Sequence, residues 1–184
     1  MRVIGGSLKG KKLLIPLDKS TRPLRDMVRE SIFNILDHSN KVSKDINNSK
    51  VLDLFSGTGS FGIECLSRGA KEVIFFENYS NSIKVLRNNI FNLQLESKTK
   101  VYEDNAYNLK DSNLNNKIFD LIFLDPPFKD KEINILINQI KILKIADINT
   151  IIIIHRNKKS ADNISRFLNV LDEKNYGLSK ILFC

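Results

Sequence analysis

The chain has 184 residues, 42% hydrophobic and 27% charged, which fits one globular domain with a short appendage. No apolar run approaches the roughly 18 to 20 residues of a membrane-spanning helix, and two cysteines, Cys65 and Cys184, exclude a disulfide framework and a structural zinc cluster. Lysine and arginine outnumber aspartate and glutamate by 29 to 21, and Met1 to Lys44 alone holds ten basic against four acidic residues.

The N-terminus shows no apolar stretch ending in a small-residue cleavage site, so no export signal is expected and the cysteine usage suits a reducing cytoplasm. Arg2–Gly6 and Lys11–Ile15 are short β-prone runs around a turn, a small hairpin or twisted ribbon. After Arg22-Pro23, Val28, Ile32, Ile35 and Leu36 fall on one helical stripe, with Arg25 and Arg29 four apart on a neighbouring face. Residues 39–49 are polar and read as a linker, dividing a basic extension, 1–44, from a main domain, 45–184. A basic end joined to a nearly neutral body suits a polyanion, nucleic acid being the commonest; biased composition with solvating lysines is the alternative.

From Lys50 onward strand and helix patterns alternate. Strands are expected at Val51–Phe55, Glu72–Glu77, Thr99–Glu103, Phe119–Leu124 and Thr150–Ile154, and helices at Phe61–Arg68, Ser82–Leu93 and Ile133–Leu143. Residues 108–117 read as a loop, 161–168 as an amphipathic helix, and Val170–Asn175 with Leu178–Phe183 as a closing pair through Tyr176-Gly177. Strands apolar on both faces and separated by helices imply a mostly parallel sheet covered on both sides, here a Rossmann-like α/β domain with a C-terminal antiparallel hairpin.

The first strand runs into Asp53-Leu54-Phe55-Ser56-Gly57-Thr58-Gly59-Ser60-Phe61-Gly62, a G-x-G-x-x-G match with a strand before it and a helix after it. Such a loop lets a ligand approach the backbone, although a glycine turn serving only strand-to-helix packing has the same spelling. Glu77, at the end of the second strand, suits ribose hydroxyls of either a dinucleotide or an adenosyl cofactor. Asp53 narrows the choice, because a carboxylate there repels a pyrophosphate and suits an amino-acid ammonium group. The fourth strand ends in Asp125-Pro126-Pro127-Phe128. Two prolines fix an extended turn and remove two N–H donors, leaving the Asp125 carboxylate and the Pro126 carbonyl as acceptors for the two N–H groups of an exocyclic nucleobase amine, with Phe128 as a stacking face.

Together these residues resemble the class I S-adenosylmethionine-dependent methyltransferases that act on amino groups. Arg2-Val3-Ile4-Gly5-Gly6, Lys9-Gly10-Lys11-Lys12-Leu13, Arg22-Pro23 and Asp26-Met27-Val28-Arg29-Glu30-Ser31-Ile32-Phe33-Asn34 make the likeness more specific: the chain looks like the bacterial 16S rRNA guanine-N2 methyltransferases over nearly its whole length. That resemblance implies a seven-stranded, mostly parallel sheet. It also implies that Asp53, Phe55, Gly57 and Gly59 hold the methionine part of the cofactor, Glu77 its ribose, and Asn105 with Ala106 its adenine edge. Asp125 to Phe128 would be the catalytic motif, and Arg2, Lys9, Lys11, Lys12, Arg22, Arg25 and Arg29 the contacts to rRNA, within a 30S subunit or its assembly intermediate. No metal is implied, and a monomer is expected. The chain departs from the family pattern in carrying Asn105 where many relatives have aspartate, Leu24 and Arg25 where hydroxyl residues usually follow Arg-Pro, and His155 where an acidic residue often ends the fifth strand.

His38 and His155 have no partner in the sequence pattern and read as surface or strand-end residues; Cys65, Phe75, Phe76, Phe91 and Phe119 read as packing. Lys110, Lys117, Lys129 and Lys131 suit either the rim of the substrate cleft or a solvated face. Three rivals stay open on these residues: an adenine-N6 methyltransferase, an NAD-dependent oxidoreductase built on Gly57, Gly59, Gly62 and Glu77, and a non-catalytic ribosome-binding module. DNA enzymes of the first type usually need a further target-reading region, for which 184 residues leave no room.

Overall fold

A computed structural model describes residues 1–16, 24, 26–42 and 44–184. Eleven elements follow in order: α1 (Asp26–His38), β1 (Lys50–Leu54), α2 (Ser60–Ser67), β2 (Glu72–Phe76), α3 (Ser80–Asn92), β3 (Thr99–Tyr102), β4 (Leu121–Leu124), α4 (Ile133–Ile142), β5 (Ile151–Asn157), β6 (Asp172–Tyr176) and β7 (Ser179–Phe183). The strands form one sheet in the order β3-β2-β1-β4-β5-β7-β6. All neighbours are parallel except the pairs made by β7, which runs antiparallel to both β5 and β6. This is the expected α/β architecture with its terminal hairpin.

Alternation along the strands sorts the core into two layers. Val51, Leu121, Phe123, Ile151 and Ile153 pack on one face under α1, α2 and α3. Leu52, Leu54, Ile122, Leu124, Ile152 and Ile154 pack on the other under α4 and the 3-10 turn Ala106–Asp111. On the first face Phe61 stacks between Phe33, at 5.3 Å, and Phe123, at 4.1 Å, joining the N-terminal helix to the sheet.

The N-terminal segment shares this core. Val3, Leu13, Leu24, Val28, Ile32 and Leu36 belong to the same apolar cluster as β1 and α2. Its ribbon is held by a single antiparallel bridge, Arg2 to Lys12, with Val3 N–H donating to the Lys11 carbonyl and Leu13 N–H to the Met1 carbonyl. The buried Glu64 carboxylate of α2 accepts the Ile4 and Gly5 amides, each at 2.7 Å, and Arg68 Nε at 3.0 Å. Asn89 of α3 accepts the Leu14 amide and donates to the carbonyls of Leu14 and Thr58, tying the ribbon to the glycine loop.

Several expectations change. Arg29 points into the molecule: it has no exposed surface, donates to the Arg2 carbonyl and to Asp26, and lies 3.9 Å from Glu64. Helix α1 buries a face wide enough to include it, so it cannot grip a phosphate. Arg22 and Arg25, the other arginines expected to contact RNA beside it, lie outside the described residues. Residues 39–49 are not a loose linker, since Val42 and Ile46 are core residues. The helix expected over 161–168 reduces to the turn Ile164–Arg166, and the loop expected over 108–117 begins inside the turn Ala106–Asp111. Phe91 is 70% exposed and packs little.

Candidate active site

A cavity of about 440 Å³ opens at the carboxyl ends of the central strands, where open α/β sheets bind ligands. Its wall includes Asp53, Phe55, Ser56, Gly57 and Thr58 from the glycine loop, Glu77 after β2, and all of Asp125, Pro126, Pro127 and Phe128. Two motifs far apart in the chain thus face one space. Leu24 and Val28 close it from the N-terminal segment, with Phe61 and Phe123 behind them. This use of the N-terminal segment is absent from the sequence reading, although Val28 stood out in the helical stripe.

Asp53 is 1% exposed. Its Oδ2 accepts the Gly62 amide at 3.0 Å, while Oδ1 is buried and has no partner. Burial pushes its carboxyl well above the usual range, and the charges of Asp125 and Glu77 push the same way. A buried acceptor without a donor beside a ligand-sized cavity is what an incoming ammonium group would satisfy. The motif's glycines have distinct jobs. Gly57, at φ +55°, has open space where a Cβ would stand, whereas a Cβ on Gly59 would meet Leu86 at 2.3 Å and one on Gly62 would meet Phe75 at 2.4 Å. Only the first leaves room for a ligand; the other two permit close packing. Phe55 adopts φ +61°, a left-handed conformation that costs a residue with a Cβ about 1–2 kcal/mol. Its ring meets Tyr107 edge-on at 5.6 Å.

Glu77 is a strut as well as a candidate ligand. Its Oε2 accepts the Gly57 amide at 2.7 Å and its Oε1 the amides of Asn78 and Tyr79 at 3.0 and 2.8 Å. With about four acceptor positions on a carboxylate, one remains for a ribose hydroxyl. Asn105 and Ala106 do not join the cavity wall. Asn105 caps the following turn by accepting the Tyr107 amide, and Ala106 is in the core.

The loop Asp125 to Phe128 is held from β5 by two residues that the sequence pattern left without a role. His155 is 7% exposed and lines the cavity; its Nδ1 lies 2.7 Å from Asp125 Oδ1 and its Nε2 2.9 Å from Ser179 Oγ. It is therefore not a surface residue. Arg156, on the other face, is 1% exposed; it donates to the carbonyls of Pro127 and Asp130 and to the Asp162 carboxylate. Register carries the signal: Leu124 pairs with Ile154, so the next residues, Asp125 and His155, stand side by side.

The protein-family model described as Conserved hypothetical protein 95 matches residues 1–184. The chain belongs to that family. It is 32% identical over 159 residues to the ribosomal RNA small subunit methyltransferase D of Buchnera aphidicola, covering 86% of this chain and 79% of that protein. The protein of the same name from Haemophilus influenzae is 36% identical over 129 residues, covering 70% of this chain and 64% of the relative. Among solved structures, the 16S rRNA N2 G1207 methyltransferase of Thermus thermophilus, in complex with AdoMet and guanosine, superposes with a TM-score of 0.73 over the whole chain, which spans 48% of that structure. At 15% identity this likeness concerns the fold alone, a seven-stranded, mostly parallel α/β sheet. Relatives above 30% identity are named methyltransferases, and the partnerless Asp53 oxygen and the open side of Gly57 fit S-adenosylmethionine as a cofactor.

Proposed function

We propose that this protein methylates the exocyclic N2 amine of a guanine in 16S rRNA, presented by a 30S subunit or its assembly intermediate. The observation that carries this reading is the placement of Asp125 and Pro126 in the same cavity wall as the partnerless oxygen of Asp53. When bound, S-adenosylmethionine supplies an electrophilic methyl group on a positively charged sulfur. Asp53 would hold its ammonium group and Glu77 a ribose hydroxyl, while Asn105 and Ala106, as the resemblance assigns them, would stand toward the adenine.

A guanine amine is a weak nucleophile because its lone pair is delocalised into the ring. The Asp125 carboxylate and the Pro126 carbonyl accept its two N–H groups, drawing the nitrogen toward tetrahedral geometry and aiming the lone pair at the methyl carbon. This is positioning and electrostatics rather than strong base catalysis. As the nitrogen gains its bond to the methyl carbon, the carbon–sulfur bond would break with its electron pair passing to sulfur, and the nitrogen loses a proton, which Asp125 or water receives. Phe128, Leu24 and Val28 bound an apolar slot for the base, which must be unstacked to enter it. The segment 1–44 would guide the RNA through exposed Arg2, Lys9, Lys11 and Lys12.

Incubation with methyl-labelled cofactor and unmodified 30S particles, free rRNA or duplex DNA tests this. N2-methylguanosine from the particle or the rRNA is expected. N6-methyladenosine would overturn the assignment of the acceptor, and binding to the particle without any transfer would reduce the protein to a ribosome-binding module.

A further inference from the structure

Asp125 sits on the loop that follows β4, yet its side chain is governed by two other strands. His155 near the end of β5 and Ser179 at the start of β7 are neighbours across an antiparallel pair in which His155 stands opposite Ile181 and Asn157 opposite Ser179. Both are buried, at 7% and 5% exposure, and the Phe128 ring meets the imidazole edge-on at 5.3 Å. An ionised carboxylate only accepts, so the 2.7 Å contact places the hydrogen on His155 Nδ1. In the neutral imidazole Nε2 then accepts the Ser179 hydroxyl at 2.9 Å. Asp125 Oδ2 has no bond among the described residues, and its side chain is 20% exposed.

We propose that His155, backed by Ser179, is a positioning residue for methyl transfer, fixing Asp125 Oδ1 so that Oδ2 alone is presented to the acceptor amine. The inference rests on the reading of Asp125 as an acceptor for that amine. A carboxylate torsion is broad and roughly two-fold, so an unheld aspartate on a loop would share its time among orientations. The amine must be met by Oδ2 and the Pro126 carbonyl together, and small angular errors there are costly. A donor carried by a strand in the sheet is a firmer support than one on a loop. The choice of donor also matters. An imidazole donates through a short ring held in the sheet, whereas arginine or lysine would bring a longer side chain with a permanent charge beside the carboxylate. The other acidic groups in the described cavity wall are Asp53 and Glu77, from the ends of β1 and β2, and that wall includes no lysine or arginine among the described residues.

The test separates the hydrogen-bond donor from bulk. His155→Asn sets an amide N–H near the place of Nδ1–H, and His155→Phe fills the volume without a donor. With rRNA as acceptor, kcat should fall about a hundredfold in His155→Phe and stay within about fivefold in His155→Asn. The KM for RNA and the calorimetric Kd for S-adenosylmethionine should move less than about threefold in both. In the cofactor-free wild type, nitrogen-15 NMR should show the imidazole protonated on Nδ1, a proton signal lost in Asp125→Ala. A His155→Phe enzyme with kcat within fivefold of wild type, equal losses in both variants, or an Nε2-protonated imidazole overturns the proposal. If the wild type makes no N2-methylguanosine, the assignment of the acceptor fails instead, and the imidazole tautomer alone then decides whether His155 holds Asp125. The same spectrum decides it if His155→Phe does not fold.

Discussion

Asp53 holds a carboxylate where the cofactor-free fold disfavours a charge. Burial raises its folded pKa above the unfolded value, with Asp125 and Glu77 adding to the effect and the Gly62 amide opposing it. For an acid shifted upward, the folded state binds the proton more tightly than the unfolded state. Its contribution to stability is therefore complete below the unfolded pKa and is lost as pH rises toward the folded one, at no more than about 1.4 kcal/mol per pH unit for one proton. Asp53→Asn should accordingly raise the melting temperature of the cofactor-free protein, by a margin that widens between pH 5 and pH 8 in a thermal scan. Binding of S-adenosylmethionine should weaken about tenfold to a hundredfold, since a charge-assisted bond of roughly 1.5–3 kcal/mol is removed. A variant no more stable than the wild type at pH 8 would show that the fold does not raise the Asp53 pKa above its unfolded value. Asp125→Ala separates binding from chemistry. Transfer should vanish while the calorimetric Kd for the cofactor stays within several-fold, because Asp53 and the glycine loop are untouched. Full transfer by that variant would remove the aspartate from the mechanism.

Among the elements, β5 is the organiser, and it works by alternation. Ile151, Ile153 and His155 face the layer under α1 and α2, while Ile152, Ile154 and Arg156 face the layer under α4. One strand end therefore supports the loop after β4 twice, through the Asp125 carboxylate and through backbone carbonyls. Arg156→Ala would remove a donor from the Asp130 carbonyl and the Asp162 carboxylate and leave the Pro127 carbonyl with the Asp130 amide alone. The expected cost is about 2–4 kcal/mol in urea unfolding, and lysine should not restore it because it lacks the planar fork. A drop in kcat without loss of cofactor affinity would accompany it, and an unchanged denaturation midpoint would show that the three contacts carry no stability. The strand periods and the motifs at the ends of β1 and β4 were legible in the sequence, because each is a local pattern. The link from Asp125 through His155 to Ser179 was not, because it depends on which strand enters between β5 and β6 and in which direction. Residues 161–168 misled for a different reason. Their apolar spacing suits a helix, but a short stretch carrying Asp162, Asn163 and Ser165 cannot sustain one against side-chain competition for the backbone, and Asp162 is drawn to Arg156 instead.

At the scale of the whole molecule, the described residues set positive charge apart from the cavity. The chain carries a net charge of +8, concentrated in Met1 to Lys44, yet the described cavity wall contains only acidic charges. A polyanion would be attracted to the ribbon, and a single unstacked base would be admitted to the cavity. The ribbon suits this because its apolar and charged faces are fixed: Val3 and Leu13 are buried, while Arg2, Lys9, Lys11 and Lys12 are exposed. Its attachment through Glu64 and Asn89 to the helices flanking the glycine loop keeps the basic surface in register with the cavity. Neutralising Lys9, Lys11 and Lys12 together should then weaken RNA binding and flatten its dependence on salt. At roughly 0.7 counterions released per phosphate on a single strand, the log-log slope should fall by about 2. The cofactor Kd and the melting temperature should hold, since the three lysines lie on the exposed side of the ribbon. An unchanged slope would mean that these lysines do not meet phosphate and that the RNA path lies on another surface.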